Sequence, residues 1–270
     1  MSLRSLPRDA VALALAALLL LAWTATAYPL VSTAMVACSL GLAGASWWSC
    51  RALYGERSAR IFLATGAALG WFAEQMGSSR GWFFGSYSYT DVLGPRLGDV
   101  PLVIPFMWFG LCHIGFLMAS LVLWRQPAPA GGWRSGLLAA ALSAMLVTAF
   151  DLGADPYFVY QLKAWIMAET DGDWYGETVR GFEGWLIVSF TIVCTFQALA
   201  RPRLEAAPDA AGARAALVPI GLYAFMLAYQ LAFTQPVALK VTAFFAMGIP
   251  LLIACVAGLQ WSRRGAGVPA

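Results

Sequence analysis

"LVIPFMWFGLCHIGFLMASLVLW", residues 102–124, contains no Asp, Glu, Lys or Arg. As an α-helix rising ~1.5 Å per residue it would cover ~34 Å, enough to cross the ~30 Å hydrocarbon layer of a bilayer. Working outward from it, a chain that is 60% hydrophobic and 11% charged offers further segments of this kind. The sequence predicts an all-α fold, a polytopic transmembrane helical bundle of about eight spans: 10–27, 30–48, 60–77, 102–124, 134–150, 184–200, 213–233 and 241–261. No connection is long enough for a separate soluble domain, so residues 1–270 are expected to form one integral membrane domain.

The cations orient the spans, because short cytoplasmic loops are enriched in Lys and Arg. With the N-terminus inside, Arg4, Arg8, Arg51, Arg57, Arg60, Arg125, Arg134, Arg201, Arg203, Arg214, Arg263 and Arg264 are cytoplasmic. Only Arg80, Arg96, Lys163, Arg180 and Lys240 lie on the other side. Both termini are therefore expected in the cytoplasm, with the protein in the inner (plasma) membrane. The first 27 residues also read as a signal peptide, with "ATA" before Tyr28, and a retained first helix is the preferred reading. Cys38, Cys50, Cys112, Cys194 and Cys255 form no C-x-x-C pair and read as small buried hydrophobes. The net charge of +3 comes mostly from inside arginines and gives no reason to expect a nucleic-acid partner.

The acids are distributed differently. Ten of the fourteen fall in or beside two non-cytoplasmic segments, about 74–101 and 151–183. Counting from Arg60, Glu74 lies ~21 Å along its helix, inside the hydrocarbon layer. The same count puts Asp151 ~25 Å from Arg134, and His113 ~18 Å from Arg125. An ionisable residue at such depth is costly, which makes it a functional candidate. Each also has a purely structural reading: Glu74 pairing with Arg80 or Arg96, Asp151 capping its helix, His113 as a packing residue, Asp171 and Asp173 as solvated turn residues. Trp71, Trp82, Tyr87, Tyr89, Trp108, Trp165, Trp174, Tyr175 and Trp185 cluster on the same side. They fit either an interfacial belt or the walls of a pocket that stabilises a cation through ring quadrupoles.

The chain has no G-x-G-x-x-G opening a helix, no Walker A and no H-E-x-x-H, and its single histidine cannot build a multi-histidine iron site. What remains is carboxyl acid–base chemistry at the edge of an apolar chamber, with no metal and no redox cofactor expected. A buried carboxyl can stay protonated near neutral pH, protonate an alkene and let water capture the cation.

Two blocks carry a resemblance. "WFAEQMG" followed by "GSYSYTDVLGPRLGDVPLVIPFMWF" (residues 85–109) combines a helix glutamate, G-x-Y-x-Y-T-D, L-G-P and two further prolines before a tryptophan. "DLGADPYFVYQLKAWIMAETDGDWYGETVRGFEGW" (residues 151–185) has D-x-x-x-D-P, a tryptophan, Y-G and a closing G-F-x-G-W. Together they resemble the CruF-type carotenoid biosynthesis proteins. The second block departs from that family's G-[VI]-P-x-x-N-F: Glu177, Thr178 and Gly181 stand at the [VI], Pro and Asn positions, and Glu183 replaces an apolar residue.

The resemblance implies a carotenoid 1,2-hydratase, which adds water to the terminal double bond of an acyclic end group. Its substrate would be a carotenoid dissolved in the lipid bilayer, with other carotenoid-pathway enzymes as neighbours. The expected proton-donor and water-orienting groups are Glu74, Asp91, Asp151 and Asp155, with Glu74 and Asp151 favoured by depth. Trp71, Trp82, Tyr87, Tyr89, Trp108, His113, Trp165 and Trp185 are expected to contact the substrate. The stiff segment around Gly94, Pro95, Pro101 and Pro105 would fold back as a lid presenting Asp91 and the tyrosines. Competing readings are a cyclase or isomerase using the same acid, a non-catalytic scaffold, a transporter, and a prenyltransferase suggested by the D-x-x-x-D of Asp151 and Asp155. Pro156 argues against the last by disfavouring helix at Asp155.

Overall fold

The computed structural model describes residues 30–169, 172, 174–204 and 210–264; the expected span 10–27, Asp171 and Asp173 lie outside them. Among the described residues, six helices are long and apolar enough to cross a membrane, so the chain reads as an integral membrane protein. They are α1 (Leu30–Arg80), α2 (Ile104–Trp124), α3 (Trp133–Pro156), α4 (Val179–Ala200), α5 (Ala210–Phe233) and α6 (Val237–Arg263).

Two expected spans, 30–48 and 60–77, fall within α1. Gly55 interrupts its helical geometry at φ 81° and ψ 165°, a conformation open to a residue without Cβ. Contacts along α2 show that the chain reverses there. On the first arm, Gly110 meets Leu42 and Ser46, His113 meets Ser49, and Phe116 meets Tyr54. On the second arm, Trp108 meets Gly70, Phe109 meets Gly66, and His113 meets Phe62. The contacts ascend one arm as they descend the other, so the arms are antiparallel. The connection placed from arginine positions at residues 49–59 is in fact helix up to Gly55 and helix again after it. Charge locates a membrane boundary, whereas backbone geometry decides where a helix stops.

Polar side chains tie the bundle together by bonding backbone carbonyls on neighbouring helices. Ser49 Oγ donates to Ala215 O (2.7 Å), Tyr223 Oη to Leu146 O (3.0 Å), Gln230 Nε2 to Phe150 O (2.7 Å), and Gln197 Nε2 to Gly136 O (2.9 Å). The outward face is apolar: Phe244, Phe245, Ile249, Leu252 and Val256 of α6 are all exposed. A surface patch of that kind suits lipid rather than water. Cys50 and Cys112 are buried as expected, but Cys38 is exposed.

The two polar segments pair with each other. β1 (Tyr87–Tyr89) and β4 (Trp165–Met167) form an antiparallel ribbon, with Tyr87 opposite Met167 and Tyr89 opposite Trp165. Thr90 extends the pairing, its N–H bonding Ala164 O (2.9 Å) and its hydroxyl bonding Lys163 O (2.6 Å). Between the strands of the ribbon lie a 3₁₀ turn (Asp91–Leu93) and a short hairpin of β2 (Arg96–Leu97) and β3 (Val100–Pro101).

Contrary to the expectation at Pro156, α3 stays helical through Asp155 and ends at the proline, followed by a π-helical turn at Tyr157–Gln161. A proline in a helix forfeits one bond, to the carbonyl four residues back. Here that carbonyl belongs to Leu152, and Trp174 Nε1 occupies it at 2.8 Å.

Candidate active site

Glu74 sits on the second arm of α1, 6% exposed, with donors on both carboxyl oxygens. Tyr87 Oη and Tyr89 Oη donate to Oε2, the latter at 2.7 Å, and Trp108 Nε1 donates to Oε1 at 2.8 Å. Strand period explains the tyrosine pair: side chains two apart share a face, so Tyr87 and Tyr89 point inward while Ser88 points out. Trp108 reaches the carboxyl because Gly70 lets α2 come close. A Cβ at Gly70 would stand 2.6 Å from the Trp108 ring. Neither Arg80 nor Arg96 forms a salt bridge to Glu74; Arg96 pairs with Asp91 instead (2.9 Å).

Across the cavity, α3 presents Asp151 and Asp155, one turn apart on the same face. They are 1% and 6% exposed. Asp155 Oδ1 accepts from Trp165 Nε1 (3.1 Å), while Asp151 Oδ2 has no partner. Behind Asp155 stands a third acid, Glu177, also 1% exposed, whose oxygens meet no N–H or hydroxyl donor. Its carboxyl is within hydrogen-bonding reach of Asp155. Two carboxyls can meet in this way when they share a proton. Burial pushes Glu177 above the usual carboxylate range, with the bond from Asp155 acting in the opposite direction. Burial, and then the Glu74 charge, also push the Tyr87 and Tyr89 phenols well above their ordinary value, so both remain hydroxyl donors.

These groups enclose a cavity of about 50 Å³. Its wall includes Glu74, Tyr87, Tyr89, Trp108, Asp151, Asp155, Trp165 and Trp185, all expected from sequence, together with Phe84, Met107, Phe158 and Gly181. Trp185 packs on Trp108 with ring centroids 4.5 Å apart. A cavity needs roughly 10–15 Å³ to hold one water, so this one has room for a few.

Four expected site residues lie elsewhere. Asp91 is exposed and turned toward Arg96, because the 3₁₀ turn faces its side chain away from the ribbon's inner side. The segment therefore lays its tyrosines, but not Asp91, on the cavity. Trp71 donates to Leu97 O (3.1 Å) and Trp82 is 50% exposed; neither lines the cavity. His113 is fully buried deeper in the bundle, bonded to Ser49 Oγ (3.0 Å) and packed among Tyr54, Phe62 and Phe109. It does not line the acid cavity.

Glu177 was missed as a site residue because "ETDGDWYG" reads as a solvated loop. Positive φ at Tyr175 (53°) and Gly176 (89°) turns the chain back on itself. Trp174 and Glu177 then pair through backbone bonds of 2.9 and 3.3 Å. The Trp174 indole anchors this turn to the end of α3, which carries Glu177 to Asp155. An acid at the family pattern's [VI] position was the available signal.

Comparison with known proteins places the chain in a family. No solved structure matches the chain. The bisanhydrobacterioruberin hydratase of Haloarcula japonica is 30% identical over 142 residues, 52% of this chain and 45% of that protein, so the match spans less than half the relative's length. The family model described as "Carotenoid biosynthesis protein" matches residues 18–259, taking in the glutamate arm, both polar segments and the helices around them. This chain belongs to the carotenoid biosynthesis protein family.

Proposed function

We propose that the protein is a carotenoid hydratase that adds water across the terminal 1,2 (or 1′,2′) double bond of an acyclic end group. The carrying observation is one small apolar-walled cavity in which Glu74, held by three donors, faces Asp151 and Asp155, with Glu177 behind Asp155.

The reaction divides between the two sides. Asp155, sharing a proton with Glu177, delivers it to the end-group carbon that leaves the positive charge on the neighbouring, more substituted carbon. The rings of Tyr87, Tyr89, Trp108, Trp165 and Trp185 and the Glu74 carboxylate stabilise that cation. A water held by Asp151 and Glu74 adds to the cation, and the released proton goes to a carboxylate. One C–H, one C–O and one O–H bond replace the alkene π bond and the two O–H bonds of water, and the net change is one water gained. The released proton returns through Asp151 to Asp155, one turn along α3, and restores the proton that Asp155 shares with Glu177.

Depth along the helices favours Glu74 and Asp151 alike among the proton-donor and water-orienting candidates, but their surroundings differ. Filled with N–H and O–H partners, Glu74 is better suited to face a cation than to give up a proton. The relative's name, a bisanhydrobacterioruberin hydratase, supports the addition of water. We also place the protein as one domain in the inner membrane with both termini cytoplasmic. Eight spans result when the two arms of α1 are counted separately and residues 10–27 are included.

The test is pigment analysis by chromatography and mass spectrometry, with the full chain expressed in a bacterium that accumulates lycopene or γ-carotene. A product heavier by one water is expected, and should be lost in Glu74→Gln and Asp155→Asn at equal expression. A product of unchanged mass would replace hydration with cyclisation or isomerisation. No new pigment from any acyclic substrate would favour a scaffold.

A further inference from the structure

The cavity that holds the acids is far too small for a long polyene. A second cavity of about 340 Å³ adjoins it, and Met107, Leu111, Phe150, Ala154 and Phe158 form part of both walls. The remaining walls come from the first arm of α1, through Met35, Cys38 and Gly41, and from α5, through Leu222, Phe225, Met226 and Tyr229. The α5 positions run from Leu222 to Gln230, about 12 Å of one helix face, and Thr234 lies just beyond its end.

Three features make this a slot opening to lipid. Among the described residues, no Asp, Glu, Lys, Arg or His lines it. Ser49 Oγ holds α1 and α5 together at Ala215, whereas the slot lies nearer the other end of α5, where Cys38 and Phe225 are exposed. At Gly41 a Cβ would meet nothing within 4 Å, so the slot is open beside the helix axis. From these features, we infer that the groove between the first arm of α1 and α5 holds the polyene chain of an acyclic carotenoid and admits it sideways from the bilayer. Only the reacting end passes Met107, Leu111, Phe150, Ala154 and Phe158 into the acid cavity. The inference rests on the hydratase reading for its occupant and assigns the substrate's path and the residues that select for chain length.

Gly41→Trp tests it directly, because the ring enters open space without displacing the backbone. The parent for the test is the full-length Glu74→Gln chain, purified in detergent from cells accumulating lycopene. It should carry bound carotenoid and show induced circular dichroism in the polyene absorption band. Adding Gly41→Trp should reduce both about tenfold or more, since a tryptophan takes the space of several substrate carbons, each contributing ~0.8 kcal/mol of apolar burial. Gly41→Leu, a better helix former than glycine, supplies a smaller block if the tryptophan variant elutes as aggregate.

The binding readout separates the two ideas. Carotenoid that binds the parent and is excluded by the Gly41 variants supports the groove even if the wild-type product is an isomer. Undiminished binding in the variants, or hydration at the wild-type rate in Gly41→Trp alone, overturns the groove and leaves the hydratase reading standing. A chain that never retains carotenoid overturns it as well. So does a disulfide between Cys38 and a cysteine introduced within residues 10–27, if bound carotenoid leaves its yield unchanged; the groove would then belong to that segment.

Discussion

Glu74 has the most completely bonded carboxyl of the candidate site. Its oxygens accept from Tyr87, Tyr89 and Trp108, and α3 carries the opposing acids across the cavity. Positioned acid–base groups typically contribute 10²- to 10⁴-fold, so Glu74→Gln and Asp155→Asn should each lower conversion by about that factor with pigment supply unchanged. Tyr89→Phe removes one bond to a charged acceptor, worth about 1.5–3 kcal/mol, and should cost roughly ten- to a hundredfold in rate. Asp91 provides the contrast. Exposed and paired with Arg96, it should tolerate Asp91→Asn with conversion within about twofold of wild type, as surface changes usually do. A loss matching that of Glu74→Gln would put Asp91 back among the reacting groups. Glu177 gives a prediction in pH. Because burial raises its proton affinity in the folded state, the native protein binds more protons than the unfolded chain between the ordinary carboxylate value and the raised one. Stability should therefore fall as pH rises through that window. Thermal unfolding in detergent should show this slope in wild type and a flatter one in Glu177→Gln; an unchanged slope would mean Glu177 is already ionised in the native state.

At the scale of elements, the site depends on three backbone events. Gly55 folds α1 into two arms, the β1–β4 ribbon turns two tyrosines inward, and the Trp174–Glu177 turn closes behind Asp155. Gly70 governs how closely the second arm meets α2. Gly70→Val would force the Trp108 ring aside, and overpacking of this sort costs about 1–3 kcal/mol. The measurable result is a lower unfolding midpoint together with a loss of conversion, because Trp108 then leaves Glu74. Unchanged stability and activity would show that the two helices can separate without cost.

For the whole molecule, the helix ends and their polar connections wall the acid-lined cavity, and apolar faces such as that of α6 are turned outward. The twelve cations assigned inside and the five outside predict the topology. Reporter fusions after Arg125 and Arg201 should read cytoplasmic, and fusions near Gly98 and Gly172 should read external. Reversal at any one of these positions would break the eight-span arrangement.

The amino-acid sequence alone determined that this is a helical membrane protein, because uncharged runs of bilayer length have few other stable states. Its motifs marked Glu74, Asp151, Asp155, both tyrosines and three of the cavity tryptophans, since acids and aromatics out of keeping with an apolar chain stand out. Tertiary structure decided what distance along the chain cannot show. Asp91 faces outward because a 3₁₀ turn rotates it away, and Glu177 comes inward because two residues with positive φ reverse the loop. His113 is core because packing surrounds it with rings. Asp155 remains helical beside a proline because Trp174, eighteen residues later, takes the carbonyl that the proline leaves open. Residue type and spacing set which groups can react, but hydrogen bonds and close contacts between distant segments set which of them meet.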